Sequence, residues 1–427
     1  MNQAPGMLIR NAIVSDPESE FFNRQVDIHI SNGQFSRIGE KLTVQEGDLE
    51  FNAESAFIIP GIFDFQVNCG EPGEEENETF ESLAAAALNG GVTGALIMPS
   101  AHPATDNRGQ IEYKQKIASA FAPGFCFAGY ISRKGEGKTL TELRDMYLGG
   151  ALAFTDNKLP ADHSLMLHLS MQYNGISGGL LMFHPEDSGL RMGGVMHESE
   201  VSVQLGMKGT PSLAEETAVN KLIGLARYHG HPIHIAGISC EGSVIQIAEA
   251  KAAGIPVTCS TYVHHLIFCD EDLNGFDSVY KVWPPLRGKT DRDALVKGVM
   301  SGTIDVVSSD HSPFTIEKKD VEFAYASYGM AGIETLLQAG LTALGKEQIS
   351  TLVRVMSQKP RELLGLKKRT VSMGETADFV LIDPSTECKI NRNSLKSLGI
   401  NNPFEGHTLK GKILGTYTKS SWFQRSE

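Results

Sequence analysis

The chain has 427 residues, of which 38 are Lys or Arg and 51 are Asp or Glu, so its formal net charge is −13. Apolar residues make up 41% and charged residues 21%, as in ordinary globular proteins and unlike a disordered chain, a collagen or a coiled coil. The acidic balance argues against nucleic acid or a membrane surface as a partner, because both attract basic faces. A chain of this length can bury a large core without disulfides or a structural metal.

Cysteine usage and the N-terminal segment indicate the compartment. The six cysteines are scattered without a Cys-x-x-Cys pair, which is typical of reduced thiols in a cytoplasmic protein. The N-terminal segment lacks the basic-then-apolar layout of a secretory signal. The most apolar long stretch, 83–99, is interrupted by Asn89-Gly90-Gly91 and is not a membrane span. We therefore expect a cytoplasmic protein.

The pattern of elements changes twice along the chain. Short strand patterns occur first, at 8–14, 26–30 and 35–38. From residue 58 to about 344, eight apolar runs of strand length then alternate with segments of helix length. These runs are 62–66, 94–98, 125–130, 151–154, 179–183, 232–236, 256–259 and 304–308. The clearest helical segments are 76–88, 140–147, 214–228 and 242–253. Two helices, 346–357 and 360–364, and two strands, 378–382 and 410–417, complete the chain.

Eight strand–helix alternations predict an α/β fold, a (β/α)8 barrel, over residues 58–365. A doubly wound open sheet is the alternative, but no GxGxxG or GxxxxGK[ST] motif follows any of the strands. The strand signals at the two chain ends, 1–57 and 366–427, predict one small β domain built from both ends.

Functional residues of a parallel barrel collect where strands end, so the residues after each strand are informative. Three possible metal ligands occur there, Asp156 after the fourth strand, His184 after the fifth and Asp310 after the eighth. By itself, an Asp at the end of a strand is more typical of a loop cap, and a lone His is more typical of a simple hydrogen bond. Their occurrence on three strands favours a present or former metal site.

Several longer motifs resemble those of the dihydroorotases of the amidohydrolase superfamily, nearly from end to end of the chain. They include Pro60-Gly61-Ile62-Phe63-Asp64, Glu71-Pro72-Gly73, Gly90-Gly91-Val92-Thr93, Phe154-Thr155-Asp156, Pro284-Pro285-Leu286-Arg287, Ser309-Asp310-His311-Ser312-Pro313 and Gly332-Ile333-Glu334-Thr335. The resemblance implies a TIM barrel with a small β-sandwich domain, and Zn2+ as the family cofactor. It implies interconversion of carbamoyl aspartate and dihydroorotate in pyrimidine biosynthesis, with Asp310 shuttling the proton.

The metal-ligand positions implied by the resemblance are only half retained. The family's His-x-His pair falls on Gln66 and Asn68, whose amides cannot supply a basic nitrogen to zinc. A third ligand histidine falls on Gly237, and His234 cannot replace it because three residues along a strand reverse the face. Asp156, His184 and Asp310 remain, which predicts no cofactor or one weakly held Zn2+.

The substrate-binding positions implied by the resemblance are also substituted. The family's carboxylate-binding arginine aligns with Gly70, and two asparagines align with Ser100 and Trp283. His311 is retained beside Asp310. Glycine has no guanidinium group to bind a carboxylate, and the bulk of tryptophan would fill the substrate pocket rather than line it.

Loss of a divalent ion would leave Asp156 and Asp310 facing each other across the barrel mouth, where two close carboxylates do not both ionise easily. We expect either one protonated carboxyl or a cationic His184 paired with both. We expect Gln66, Asn68 and Trp283 to fill the vacated space.

Two functions of different classes fit these observations. The first is a noncatalytic dihydroorotase-like protein that acts as a structural partner of aspartate transcarbamoylase, as the resemblance implies, and we expect the chain to form a homo-oligomer. The second is an active cyclic amide hydrolase with a remodelled mononuclear site, in which an amide oxygen of Asn68 or Gln66 joins Asp156, His184 and Asp310. A role unrelated to both, such as ligand sensing in a closed barrel, is the remaining alternative.

Overall fold

The strands form two large sheets and one short pair. The computed structural model describes residues 6–425, apart from the side chains of residues 176 and 177. The strands are β1 (Met7–Val14), β2 (Gln25–Ser31), β3 (Gln34–Gly39), β4 (Leu49–Asn52), β5 (Phe57–Pro60), β6 (Ile62–Val67), β7 (Val92–Ile97), β8 (Gly124–Gly129), β9 (Ala153–Phe154), β10 (Leu180–Phe183), β11 (Met196–His197), β12 (Gly209–Thr210), β13 (Ile233–Ile235), β14 (Val257–Tyr262), β15 (Val306–Ser308), β16 (Phe379–Lys389), β17 (Thr408–Thr418) and β18 (Ser421–Gln424).

The central sheet is a parallel barrel. Its strand order is β15-β14-β13-β10-β9-β8-β7-β6. The barrel closes between its first and last strands, where Asn68 N donates to His311 O at 2.8 Å and Val67 pairs with His311 in a parallel bridge. Buried side chains such as Phe65 and Met182 fill the interior, so the barrel is a packed core with its functional end at the carboxyl termini of the strands.

Helices follow the barrel strands and surround them. They are α1 (Phe80–Asn89), α2 (Arg108–Ala118), α3 (Leu143–Leu148), α4 (Ser164–Ser177), α5 (Ser188–Arg191), α6 (Glu200–Gln204), α7 (Leu213–His229), α8 (Glu241–Ala252), α9 (Lys289–Ser301), α10 (Ile316–Lys319), α11 (Leu336–Leu344), α12 (Ile349–Val353) and α13 (Lys359–Leu363). Within the described residues, no helix has the length and apolar character that a membrane crossing requires.

Both chain ends contribute to the second large sheet, in the order β18-β17-β16-β5-β1-β2-β3, with β4 beside β1. Three strands separate β3 from β16 in this order, yet the rings of Phe35 and Phe379 lie 5.7 Å apart. Phe379 also stacks on Tyr417 at 5.2 Å. The sheet therefore folds over its own aromatic core, in the manner of a sandwich.

The predicted barrel is confirmed, and each of the eight apolar runs overlaps one of its strands. The predicted helix 76–88 was too long at its start. Thr79 is the N-cap of α1, since its side chain accepts from Ser82 N at 3.1 Å and Thr79 N donates to Ser82 Oγ at 3.0 Å. The seventh predicted strand, 256–259, was too short, because β14 continues to Tyr262.

Candidate functional site

The end of β6 is joined to the turn that carries Asp310. Asp64 is buried and accepts hydrogen bonds from the backbone nitrogen of Ser309 at 3.0 Å and from the Ser309 hydroxyl. Burial raises the pKa of Asp64 to about 6. The next residue, Asp310, has a φ of 53°, a left-handed conformation that is uncommon outside glycine. The Asp64 contacts hold this turn in place and aim the Asp310 side chain into the barrel mouth.

Asp310 is paired with a lysine. Its Oδ2 lies 2.6 Å from Nζ of Lys158, and the Asp310 side chain is completely buried while that of Lys158 is 19% exposed. Burial raises the pKa of Asp310, and the neighbouring Lys158 ammonium opposes that shift. The same ammonium lies 5.5 Å from the ring centroid of Tyr262, within the range of a cation–π contact. Lys158 thus supplies a positive charge at the centre of the mouth.

The other two retained positions do not join this pair. Asp156 accepts from Ser132 N at 2.8 Å and from Ser132 Oγ at 2.7 Å, and burial raises the pKa of its carboxyl. Burial, and then the charge of Lys158, lower the pKa of His184 to about 3. Of the two expected arrangements, a cationic His184 is therefore disfavoured, and Lys158 is the cation that pairs with Asp310. Both ring nitrogens of His184 are buried, and its Nε2 lies 3.8 Å from Oε2 of Glu186, beyond hydrogen-bond distance.

A tyrosine occupies the space beside Gly237. Gly237 has a φ of +76°, and a Cβ atom added there would lie 2.5 Å from the hydroxyl oxygen of Tyr262. Tyr262 is fully buried, and its hydroxyl accepts from Nε2 of Gln66 at 2.8 Å. A side chain at position 237 and the Tyr262 hydroxyl cannot both occupy this space, so the substitutions at Gln66 and Gly237 form one rearrangement around Tyr262.

The loop after β6 is closed by the backbone at Gly70. Glu74 N donates to Gly70 O at 2.8 Å, and a Cβ atom at Gly70 would collide with the carbonyl oxygen of Glu74. Asn68 accepts from Ser100 Oγ at 2.6 Å and donates to Ser312 Oγ at 2.8 Å. Asn68 and Ser100 are thus hydrogen-bonded to each other at the rim of the barrel mouth.

Trp283 lies in a cluster with Arg191 and Tyr328. The guanidinium carbon of Arg191 is 3.8 Å from the centroid of the Trp283 ring, and Tyr328 packs against the same ring with the centroids 5.4 Å apart. Trp283 Nε1 donates to Oε2 of Glu186 at 3.0 Å. These contacts fix the buried indole beside Tyr328, which lines the mouth.

His311 faces away from this group. Its Nε2 lies 3.2 Å from Oε2 of Glu78, which also accepts from the hydroxyl of Ser397. All three residues are buried. Although His311 follows Asp310 in sequence, its ring joins the barrel to the C-terminal part of the chain.

Comparison with known proteins places the chain in a family. The profile of the family described as "Dihydro-orotase-like" matches residues 55–243. A protein named dihydroorotase from Syntrophus aciditrophicus is 35% identical over 96% of this chain and 97% of its own length. A dihydroorotase from Pelotomaculum thermopropionicum is 37% identical over 95% of both chains. This chain belongs to the dihydroorotase family.

Solved structures related to this family member confirm its fold. An L-hydantoinase from Arthrobacter aurescens superposes with a TM-score of 0.87 over 99% of this chain and 96% of its own, at 22% sequence identity. A dihydropyrimidinase from Brevibacillus agri gives a TM-score of 0.84 at 21% identity. At these identities the likeness concerns the barrel and the terminal β domain alone.

The zinc centre implied for the dihydroorotase family does not fit the residues found in this member. Over residues 6–425, no three His, Cys, Asp or Glu side chains come together in a group that could hold a metal ion. The Lys158 ammonium occupies one oxygen of Asp310, and Ser132 binds both oxygens of Asp156. Amides stand at two of the family's ligand positions and a glycine at a third, and the two retained carboxylates already bind an ammonium and a hydroxyl, so His184 is the one position of the set that keeps an imidazole for zinc.

Two residues that define this mouth, Lys158 and Tyr262, were not predicted as site residues. Lys158 lies only two positions after Asp156, so a lysine immediately after the fourth strand was the available signal. Tyr262 lay beyond the predicted end of its strand. The mouth retains a cavity of about 200 Å3, with Asn68, Ser100 and Lys158 in its lining.

Proposed function

We propose that this member of the dihydroorotase family is noncatalytic, and that it acts as a structural partner of aspartate transcarbamoylase in pyrimidine biosynthesis. The observation that carries the proposal is the ion pair between Lys158 and Asp310, 2.6 Å apart. In the family, the aspartate at this position is the proton shuttle of a metal enzyme. Here an ammonium from the same chain binds that carboxylate.

Three further observations support the proposal. The Tyr262 hydroxyl fills the space beside Gly237, and the loop at Gly70 is closed by its own backbone. Trp283 is fixed between Arg191 and Tyr328, and Tyr328 lines the mouth. Each change puts a protein group where the family resemblance implies a ligand or a substrate contact.

An active cyclic amide hydrolase with a remodelled site is the second candidate. It is favoured by buried polar atoms at the mouth, since Oδ1 of Asp310 has no hydrogen-bond partner in the described part of the chain and Nε2 of His184 lies 3.8 Å from Oε2 of Glu186, beyond hydrogen-bond distance. Such atoms are free to bind a ligand. This candidate requires Lys158 to leave Asp310 when an ion or a substrate arrives.

An activity assay separates the two candidates. We expect no cyclisation of carbamoyl aspartate and no hydrolysis of dihydroorotate above the uncatalysed rate, because residues 6–425 hold no group of three metal-binding side chains and Gly70 stands where the family has its carboxylate-binding arginine. The dihydroorotase of Syntrophus aciditrophicus, assayed in parallel, is the positive control. Turnover that disappears in the Asp310→Asn variant would establish the second candidate instead.

Metal dependence provides an independent prediction. We expect less than about 0.1 zinc per chain in protein purified without chelators, and a melting temperature that neither EDTA nor added Zn2+ shifts by more than about 1 °C. The measurements are elemental analysis and differential scanning fluorimetry. A zinc content near one per chain, with a melting temperature that falls in EDTA, would contradict the proposal.

The partner role has its own test. We expect the purified chain to co-elute with aspartate transcarbamoylase of the same organism in size-exclusion chromatography. Weak specific complexes have dissociation constants of about micromolar, so both proteins are loaded at micromolar concentrations. Separate elution of the two proteins under these conditions would refute the partner role and leave the catalytic question to the assay.

A further inference from the structure

Three connections at the carboxyl end of the barrel form a single surface, which we call the mouth cap. It comprises residues 192–207, 270–280 and 315–328, which follow β10, β14 and β15 respectively. In a parallel barrel these connections lie at the end that carries the mouth. The mouth cap therefore covers the side of the molecule on which the candidate site opens.

The three segments of the mouth cap are packed together. Met196, Leu273 and Phe323, one from each segment, form a buried apolar cluster of their own. The first two segments are joined by Ser199, whose hydroxyl donates to Oδ2 of Asp270 at 2.6 Å. The second and third are joined by the hydroxyl of Ser278, which donates to the carbonyl of Lys319. The cap is thus an ordered surface rather than three separate loops.

Large apolar side chains of the mouth cap nevertheless face outward. Val203 and Tyr325 are each 80% exposed, and Met192 is 55% exposed. Phe276, Ile316 and Val321 are exposed as well. Single exposed apolar residues are normal, but six on three segments that share one buried cluster mark an interaction surface.

The mouth cap also concentrates negative charge. Its segments, about a tenth of the chain, contain nine acidic residues and two lysines, against 51 and 38 in the whole chain. Eight of the nine acidic residues are exposed, and Asp270 is the buried exception. Outside the cap, Lys289 pairs with Glu271 at 2.8 Å, and neither lysine of the cap balances the other acidic residues at the surface. Lys319 is buried against backbone carbonyls, and Lys318 lies 3.7 Å from Glu76 and 3.9 Å from Glu74, outside the cap.

We infer that the mouth cap is the docking surface for the protein partner, and that the matching face of that partner has an apolar centre and a basic rim. Burial of the exposed apolar side chains would supply affinity, and the acidic rim would steer a basic face towards the cap. The cap of a second copy of this chain does not fit, because two acidic caps would repel each other. This inference rests on the proposed function, and it adds the location and the chemistry of the contact.

The test uses two cap variants of the full chain and the affinity for aspartate transcarbamoylase of the same organism, measured by isothermal titration calorimetry. Val203→Ser with Tyr325→Ser removes exposed apolar area, and we expect at least about tenfold weaker binding. Glu198→Lys with Glu322→Lys reverses two exposed charges. We expect about tenfold weaker binding at low salt, with a smaller dependence on ionic strength than wild type.

Matched variants elsewhere on the surface control for nonspecific effects. Leu165→Ser with Tyr228→Ser alters α4 and α7 on the barrel flank, at side chains that are 70% and 77% exposed. Glu46→Lys with Glu249→Lys reverses two exposed charges outside the cap. We expect both control proteins to bind like wild type, and all four variants to keep the wild-type melting temperature.

The possible outcomes separate this inference from the function on which it rests. Cap variants that bind like wild type overturn the docking surface and leave the proposed function intact. Absence of binding by the wild-type chain overturns both. Loss of binding in the flank variant alone moves the contact to α4 and α7. A change in the oligomeric state of the cap variants, detected by analytical ultracentrifugation, would assign the cap to contacts between copies and would also overturn the inference.

Discussion

Replacement of Lys158 with methionine is expected to lower the free energy of unfolding by about 3 kcal/mol, because it leaves a fully buried carboxylate without its cation. Asp310 has no exposed side-chain surface, and its Oδ1 already lacks a partner among the described residues. Methionine keeps most of the apolar stem of lysine, so the loss of charge dominates the effect. Urea unfolding, followed by circular dichroism, measures the change.

Two further proteins make this prediction specific to the Lys158–Asp310 pair. The double variant with Asp310→Asn is expected to recover part of the lost stability, because it removes the unpaired charge. Lys289→Met is the matched control, since Lys289 pairs with Glu271 at 2.8 Å but both side chains are more than half exposed. We expect that control to cost less than about 1 kcal/mol. Equal losses in Lys158→Met and Lys289→Met would refute the role given to the buried pair.

The second large effect is expected at Gly237. The Gly237→Ala variant should lose about 3 kcal/mol, since its Cβ atom would lie 2.5 Å from the hydroxyl oxygen of a tyrosine that is fully buried. About 1 kcal/mol of that loss is the cost of a positive φ for alanine. A histidine at this position, as in the family pattern, would meet the same obstruction. Chemical denaturation is again the measurement.

Gly254 offers a matched control for this second effect. Its φ of +73° is close to the +76° of Gly237, but no other heavy atom lies within 4 Å of an added Cβ atom. Gly254→Ala should therefore show only the backbone cost of about 1 kcal/mol. The difference between the two alanine variants isolates the contact with Tyr262. If both lose the same stability, Tyr262 does not block the position.

Much of the fold could be predicted because it depends on local patterns. An apolar run of strand length, followed by a segment of helix length, has few alternatives in a soluble chain, and eight repeats of that unit close into a barrel. The predicted bounds of helices and strands were wrong where two local sequence signals competed. The residues before Thr79 have a helical pattern, but Thr79 is the N-cap of α1 and the helix begins after it. β14 extends beyond its apolar run because Ser260, Thr261 and Tyr262 are buried inside the barrel.

The candidate site was harder to predict, because its decisive contacts join residues that are far apart in sequence. Lys158 and Asp310 are 152 residues apart, and Gln66 and Tyr262 are 196 residues apart. Neither Lys158 nor Tyr262 belongs to a motif. The motifs therefore show that the family's ligand histidines are missing at Gln66 and Gly237, but not which side chains fill the space. For this reason, the two expected arrangements were a protonated carboxyl or a cationic His184, and neither included Lys158.

The amino-acid sequence alone determined the barrel, the contribution of both chain ends to the β domain, and the substitutions at the family's ligand and substrate positions. These features follow from the periodicity of apolar residues and from the identity of single side chains. Only the tertiary structure decided what fills the altered site. The charge of Lys158 and the hydroxyl of Tyr262 act at the barrel mouth because parallel strands bring their carboxyl ends together at one edge, whatever their separation along the chain.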